Sequence, residues 1–124
     1  MDTIIIRATE DTPGIKLDAT NNIFEITGRS LPEDVVKFYS PIMDWLDEYA
    51  KSPNEKTVFD FKLSYFNTAS SKIILDILMK LEEIRDAGNN IDIKWHYSSD
   101  DEDMMEAGEE YAEIVDIPIE LVEC

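Results

Sequence analysis

Cysteine is almost absent from this chain of 124 residues. Cys124 stands alone, so no disulfide can form within the chain, and the composition fits a reducing cytoplasm. Glycine is sparse and scattered at 14, 28, 88 and 108. That spacing builds no phosphate-cradling loop, which argues against a nucleotide-hydrolysing enzyme. The single histidine, His96, alternates with Trp95 and Tyr97 on an apolar stretch. There it reads as a packed or surface side chain rather than the base of a catalytic triad. A zinc cluster of cysteines and histidines is also missing. The run Asp100-Asp101-Glu102-Asp103 has neither the spacing nor the glycine of a calcium loop. Carboxylates are plentiful elsewhere but come with no pocket signature for acid–base or glycosidic chemistry. The expectation is a protein that is not an enzyme and uses no metal or cofactor. No apolar run approaches the roughly 20 residues that cross a bilayer. The start Met1-Asp2-Thr3 carries no basic segment followed by an apolar one, so neither membrane insertion nor a signal peptide is expected.

Basic residues are also scarce. Lys and Arg number 11 against 28 Asp and Glu, a net charge of −17, which opposes binding to nucleic acid and to anionic membranes. Positive charge ends at Lys94, and Asp100 to Glu123 is densely acidic. Such a run is a solvated helix face or, more sharply, a docking face for a basic partner. An acidic binding module that mimics nucleic acid is a further reading. Met104 and Met105 within the run suit either adaptable contacts or core packing.

The length predicts one domain over residues 1–124, able to bury a core without disulfides or metal. Residues 3–8 form a β-branched run, read as a strand. Residues 14–19 and 23–28 flank Thr20-Asn21-Asn22, a hairpin whose asparagines tolerate left-handed turns. Ser30-Leu31-Pro32-Glu33 reads as a capping box with Ser30 as N-cap. The helix it opens carries Val35, Phe38, Tyr39, Ile42, Trp45, Leu46 and Tyr49 at helical spacing, with a bend or break expected near Ser40 because of Pro41. Thr57 to Leu63 is a buried strand. A second helix carries Ile74, Ile77, Leu78, Leu81 and Ile84 and stops at Ala87-Gly88. Ile91 to Tyr97 is a strand, Ser99 or Asp100 caps an acidic helix over about 101–114, and Ile117 to Val122 is the last strand. The alternation predicts a layered α/β domain, a mixed sheet with parallel pairing packed with about three helices. Its core should include Phe59, Phe61, Ile74, Leu78, Ile93 and Trp95.

The stretch Tyr65-Phe66-Asn67-Thr68-Ala69-Ser70-Ser71-Lys72 joins the buried strand to the second helix. Three hydroxyls therefore stand at a helix N-terminus, where free backbone N–H groups and the positive dipole end hold an anion well. A phosphate on Thr68, or on Ser70 or Ser71 as alternates, would be tolerated there. The plainer reading is that Asn67 or Thr68 is only an N-cap.

This stretch, together with Phe38-Tyr39-Ser40-Pro41-Ile42-Met43-Asp44-Trp45-Leu46 and Asp100-Asp101-Glu102-Asp103-Met104-Met105-Glu106-Ala107-Gly108-Glu109, resembles the SiaC family of bacterial regulatory phosphoproteins. The segments stand in the family's order and the resemblance covers nearly the whole chain. A strand that ends at hydroxyls opening a helix also resembles the anti-sigma-factor-antagonist (STAS-like) fold, in which a phosphorylatable Ser or Thr sits at that helix start. The family resemblance implies a non-enzymatic switch phosphorylated at Thr68, with Asn67 capping the site. It implies a Ser/Thr protein kinase, a PP2C-type phosphatase and a diguanylate cyclase as partners. The unphosphorylated form would activate the cyclase in c-di-GMP signalling that controls biofilm and aggregation. Tyr65, Phe66, Asn67, Thr68, Ser71 and Lys72, with the acidic Asp101, Glu102, Glu106 and Glu109, are the expected partner-binding residues. The alternative is an acidic or anti-sigma-antagonist-like module acting without a cyclase.

Overall fold

The computed structural model describes residues 2–124. Its elements run β1 (Ile4–Ile6), β2 (Gly14–Asp18), β3 (Ile23–Ser30), α1 (Val35–Tyr49), β4 (Lys56–Phe66), α2 (Thr68–Asp86), β5 (Asn90–Tyr97), α3 (Glu102–Ile114) and β6 (Ile119–Glu123). The six strands lie side by side in chain order, β1-β2-β3-β4-β5-β6. The first three pair antiparallel as a meander, and β3 through β6 pair parallel. Asn22, in the left-handed region at φ 58, turns the β2–β3 hairpin. Because the parallel strands advance in one direction, right-handed crossovers set all three helices on the same face of the sheet.

That face is the core. Phe24, Ile26, Phe59, Phe61, Ile93 and Trp95 project from it, and Ile74, Leu78, Trp45 and Tyr49 descend from the helices, all buried. Aromatic rings connect from Trp45 and Tyr49 through Phe24, Phe59 and Phe61 to Trp95, with Phe61 stacked on Trp95 at 5.5 Å and Trp95 against Tyr111 at 5.4 Å. The opposite face is open and carries cross-strand polar contacts. Glu25 receives both Lys16 and Lys62, and His96 Nε2 lies 2.8 Å from Asp60.

Three local expectations give way to tertiary structure. Ser30 is not an N-cap: it ends β3, paired with Phe66, and the next amide, Leu31, is bonded to the Asp11 carbonyl. Asp34 caps α1 instead, accepting from the Lys37 amide at 3.1 Å. The helix runs unbroken through Pro41, whose ring is on the exposed side, where water can satisfy the carbonyl left without a donor. Asp101, rather than Ser99 or Asp100, caps α3, accepting from the Met104 amide at 3.0 Å.

Helix α3 lies close on the sheet at Gly108. A Cβ there would stand 2.5 Å from Trp95 Cδ1 and 2.6 Å from Leu121 Cδ2. Leu121 is partly exposed and can move. Trp95 is fully buried and its indole N–H is bonded to the Met104 carbonyl at 2.9 Å, so it cannot. Gly108→Ala is expected to cost about 1–3 kcal/mol as overpacking and to lower Tm by roughly 5–10 °C in a thermal melt. An unchanged Tm would mean that the contact relaxes freely.

Candidate functional site

The three βα junctions leave the same end of the sheet, the end where α/β domains build their sites. The middle one, between β4 and α2, has an irregularity. Gly28, with φ +85, pairs with Leu63, and the next residue, Arg29, pairs with Tyr65, so Ser64 is an extra residue in β4. Thr57, Phe59, Phe61 and Leu63 are buried in alternation. One inserted residue reverses that alternation. Phe66 therefore turns inward, edge-on to Trp95 at 6.1 Å, and Tyr65 turns outward, 47% exposed, with the Arg29 guanidinium 5.3 Å from its ring.

The chain then enters α2. Asn67 is the N-cap, with Oδ1 accepting from the Ser70 amide at 2.8 Å and its carbonyl accepting from the Ser71 amide. The amides of Thr68 and Ala69 have no partner among the described residues. The neighbouring helices neutralise their positive ends with Asp34 on α1 and with Asp101, Glu102 and Asp103 on α3. Helix α2 has a neutral cap and no acid in its first turn, so its partial positive charge is uncompensated.

The three hydroxyls of this turn are in different states. Thr68 is exposed at the first helical position, with no side-chain hydrogen bond among the described residues. Ser71 donates to the Thr68 carbonyl at 2.6 Å and is half-buried. Ser70 is wholly buried: it donates to the Ser30 carbonyl and accepts from Ser30 Oγ, both at 2.9 Å. No enzyme can reach Ser70 in the folded domain. Ser30 Oγ also meets the Tyr39 hydroxyl at 2.7 Å. Burial pushes Tyr39 up to about 12, against the opposing pull of that hydrogen bond, so its hydroxyl stays protonated at neutral pH.

Phe66, Ser71 and Lys72 line a groove of about 270 Å³ with Leu75 of α2 and Glu110 and Tyr111 of α3. Tyr111 donates to the Ser71 carbonyl at 2.8 Å, fastening α3 to the start of α2. Burial foremost, and then the Glu110 charge, raises the Tyr111 hydroxyl above the usual tyrosine range. Tyr65, Phe66, Asn67, Thr68, Ser71 and Lys72 are thus brought together at one junction. The acidic residues are not part of it. Glu102, Glu106 and Glu109 are exposed one helical turn after another, with Glu113 continuing the stripe. Met104, Gly108 and Tyr111 are buried on the side facing the sheet. Asp101 is half-buried and occupied as a cap. Ser30 and Tyr39 join the site where the sequence marks only a cap and a helix stripe, and Glu110 and Tyr111 join it with no sequence signal of their own. Ser30 and Ser70 are 40 residues apart, so no local spacing signals their contact.

Among the described residues no group of three or more His, Cys, Asp or Glu is arranged to hold a metal ion, and no helix is long and apolar enough to cross a membrane. The family model for the SiaC family regulatory phosphoprotein matches residues 6–124. The chain belongs to the SiaC family. It is 30% identical over 118 residues to an uncharacterized protein of Pseudomonas aeruginosa (strain UCBPP-PA14), covering 95% of this chain and 94% of that one. It is also similar to the solved SiaC of Pseudomonas aeruginosa, at 28% identity and TM-score 0.90 over all of both chains. A chain in the crystal structure of the diguanylate cyclase SiaD in complex with its activator SiaC, from the same organism, matches at 29% identity and TM-score 0.91. That match covers 98% of this chain and 99% of that one. The mixed α/β architecture of six strands and three helices is thus that of the SiaC structures.

Proposed function

We propose that this chain is a non-enzymatic switch of c-di-GMP signalling in the cytoplasm. Its unphosphorylated form binds and activates a diguanylate cyclase. A Ser/Thr kinase phosphorylates Thr68 and releases the cyclase, and a PP2C-type phosphatase restores the active form. The observation that carries this reading is the state of Thr68. Among the described residues its hydroxyl is exposed and makes no hydrogen bond, and it stands at the one of the three described helix N-termini that no carboxylate neutralises. The solved complex of SiaD with its activator SiaC supplies the class of partner.

The mechanism is local. Tyr65, Phe66, Asn67, Ser71 and Lys72 surround Thr68 and form the contact surface. Phosphate adds about −1.5 to −2 charge at pH 7. The N-terminus of α2 accommodates that charge within the domain. A partner surface shaped around a neutral threonine must instead desolvate it without a counter-charge, so the complex separates and the domain keeps its fold.

The test is to incubate the protein with ATP and lysate of its own host, then map the phosphate by mass spectrometry. One phosphate, on Thr68, is expected. A phosphate found on Ser71, or none at all, would refute the assignment.

A further inference from the structure

The buried hydroxyls beneath α2 fix one another's protons. Each hydroxyl has one to donate. Ser70 gives its proton to the Ser30 carbonyl, and Ser30 gives its proton to Ser70 Oγ. The 2.7 Å contact between Tyr39 and Ser30 is therefore made with the tyrosine proton. The chain runs Tyr39 to Ser30 to Ser70 and ends on the Ser30 carbonyl, which also accepts from the Asn67 amide at 3.2 Å. It links α1, the end of β3 and the first turn of α2, and all three side chains are fully buried. Buried polar groups joined in this way select one arrangement of the backbone that carries them, since breaking any link leaves another unsatisfied.

Thr68 is already helical and stands two residues before the anchored Ser70. It cannot be drawn out as an extended peptide without breaking this chain. We infer that Tyr39, Ser30 and Ser70 hold the acceptor turn as a folded surface, and that Tyr39 and Ser70 are positioning residues for phosphoryl transfer to Thr68. The inference rests on the reading of Thr68 as the acceptor. In the transfer, Thr68 Oγ1 forms a bond to the γ-phosphorus of ATP and the bond from that phosphorus to the β–γ bridging oxygen breaks. ADP leaves, and the hydroxyl proton passes to a base on the kinase. The hydroxyl chain takes no part in the bonds exchanged; it fixes where Oγ1 stands.

The experiment compares the native chain with Tyr39→Phe, Ser70→Ala and the double variant. Amide hydrogen exchange is followed by residue, and the initial rate of Thr68 phosphorylation is measured with ATP and host lysate as the kinase source. Each single variant should speed exchange at the bonded amides of Asn67 and Ser70 to Lys72 about five- to tenfold, the effect of losing one ordinary hydrogen bond. Exchange in β4 and β5 should not change. Thr68 phosphorylation should slow several-fold, and the double variant should lose less than the product of the two single losses. Tyr39→Phe keeps the ring and removes only the oxygen, so it decides the matter if Ser70→Ala fails to fold. Unchanged exchange would overturn the anchoring. Faster exchange with equal or faster phosphorylation would show that the kinase takes an unwound turn, overturning the positioning role. A native chain that takes no phosphate on Thr68 refutes the acceptor reading and the positioning role together, and the exchange data still report on the anchoring.

Discussion

Phosphorylation of Thr68 is expected to weaken binding to the cyclase at least about 100-fold, close to 2.7 kcal/mol. An unpaired dianion taken from water into a contact surface carries a penalty of that size or more. Thr68→Ala should take no phosphate, and its affinity for the cyclase should be the same whether or not kinase and ATP are present. Its fold should hold, because Thr68 is the first residue of the helix and Asn67 is the cap. Its stability should stay within about 0.5 kcal/mol of native, whereas Asn67→Ala should lose about 1 kcal/mol. Calorimetric titration of the cyclase with each form checks the binding, and urea unfolding checks the stability. If Thr68→Ala still gains a phosphate at the native rate, on Ser71, then Ser71 is the acceptor.

The acidic stripe of α3 should govern how fast the partners meet. Glu102, Glu106, Glu109 and Glu113 point away from the core with no base on the same helix. Their mutual repulsion gives the fold nothing. A field of one sign attracts a basic partner over roughly 10 Å at 0.1 M salt and raises the association rate. Changing all four to glutamine is expected to slow association with the cyclase about tenfold at low ionic strength and to flatten its salt dependence. Dissociation should change less than about twofold, because the stripe lies outside the groove beside Thr68. Asp101 is left intact in this variant, since its carboxylate caps the helix. Stopped-flow association at several salt concentrations measures both quantities. Rates indifferent to the substitutions and to salt would mean the stripe is only a solvated face.

The sequence makes the periodic elements plain. Ile91, Ile93 and Trp95 alternate onto the core face as their spacing implies, and all six residues expected in the core are buried there. Helix α2 ends at Ala87-Gly88, with Gly88 at φ 103, as a glycine stop should. The parallel pairing of β3 through β6 follows from the alternation of strands and helices. What the sequence hides is what depends on distant partners. The extra residue at Ser64 reverses the inward alternation, so Tyr65 faces out and Phe66 faces in, and only pairing with Gly28 and Arg29 reveals it. Ser30 satisfies a capping pattern, yet Tyr39 and Ser70 claim its hydroxyl in the core. The exposed hydroxyl of Thr68 stands at the predicted helix start. The helix start by itself implies only that a phosphate would be tolerated there; the proposed phosphate on Thr68 and the partners it would govern rest on the family resemblance.

The most direct measurement is c-di-GMP production by the purified cyclase titrated with two preparations of this chain, one unphosphorylated and one stoichiometrically phosphorylated on Thr68. The unphosphorylated chain should raise the rate to a plateau. The phosphorylated chain should leave it near the basal level until a PP2C-type phosphatase removes the phosphate, and the rate should then rise to the same plateau. Equal activation by both preparations would contradict the account.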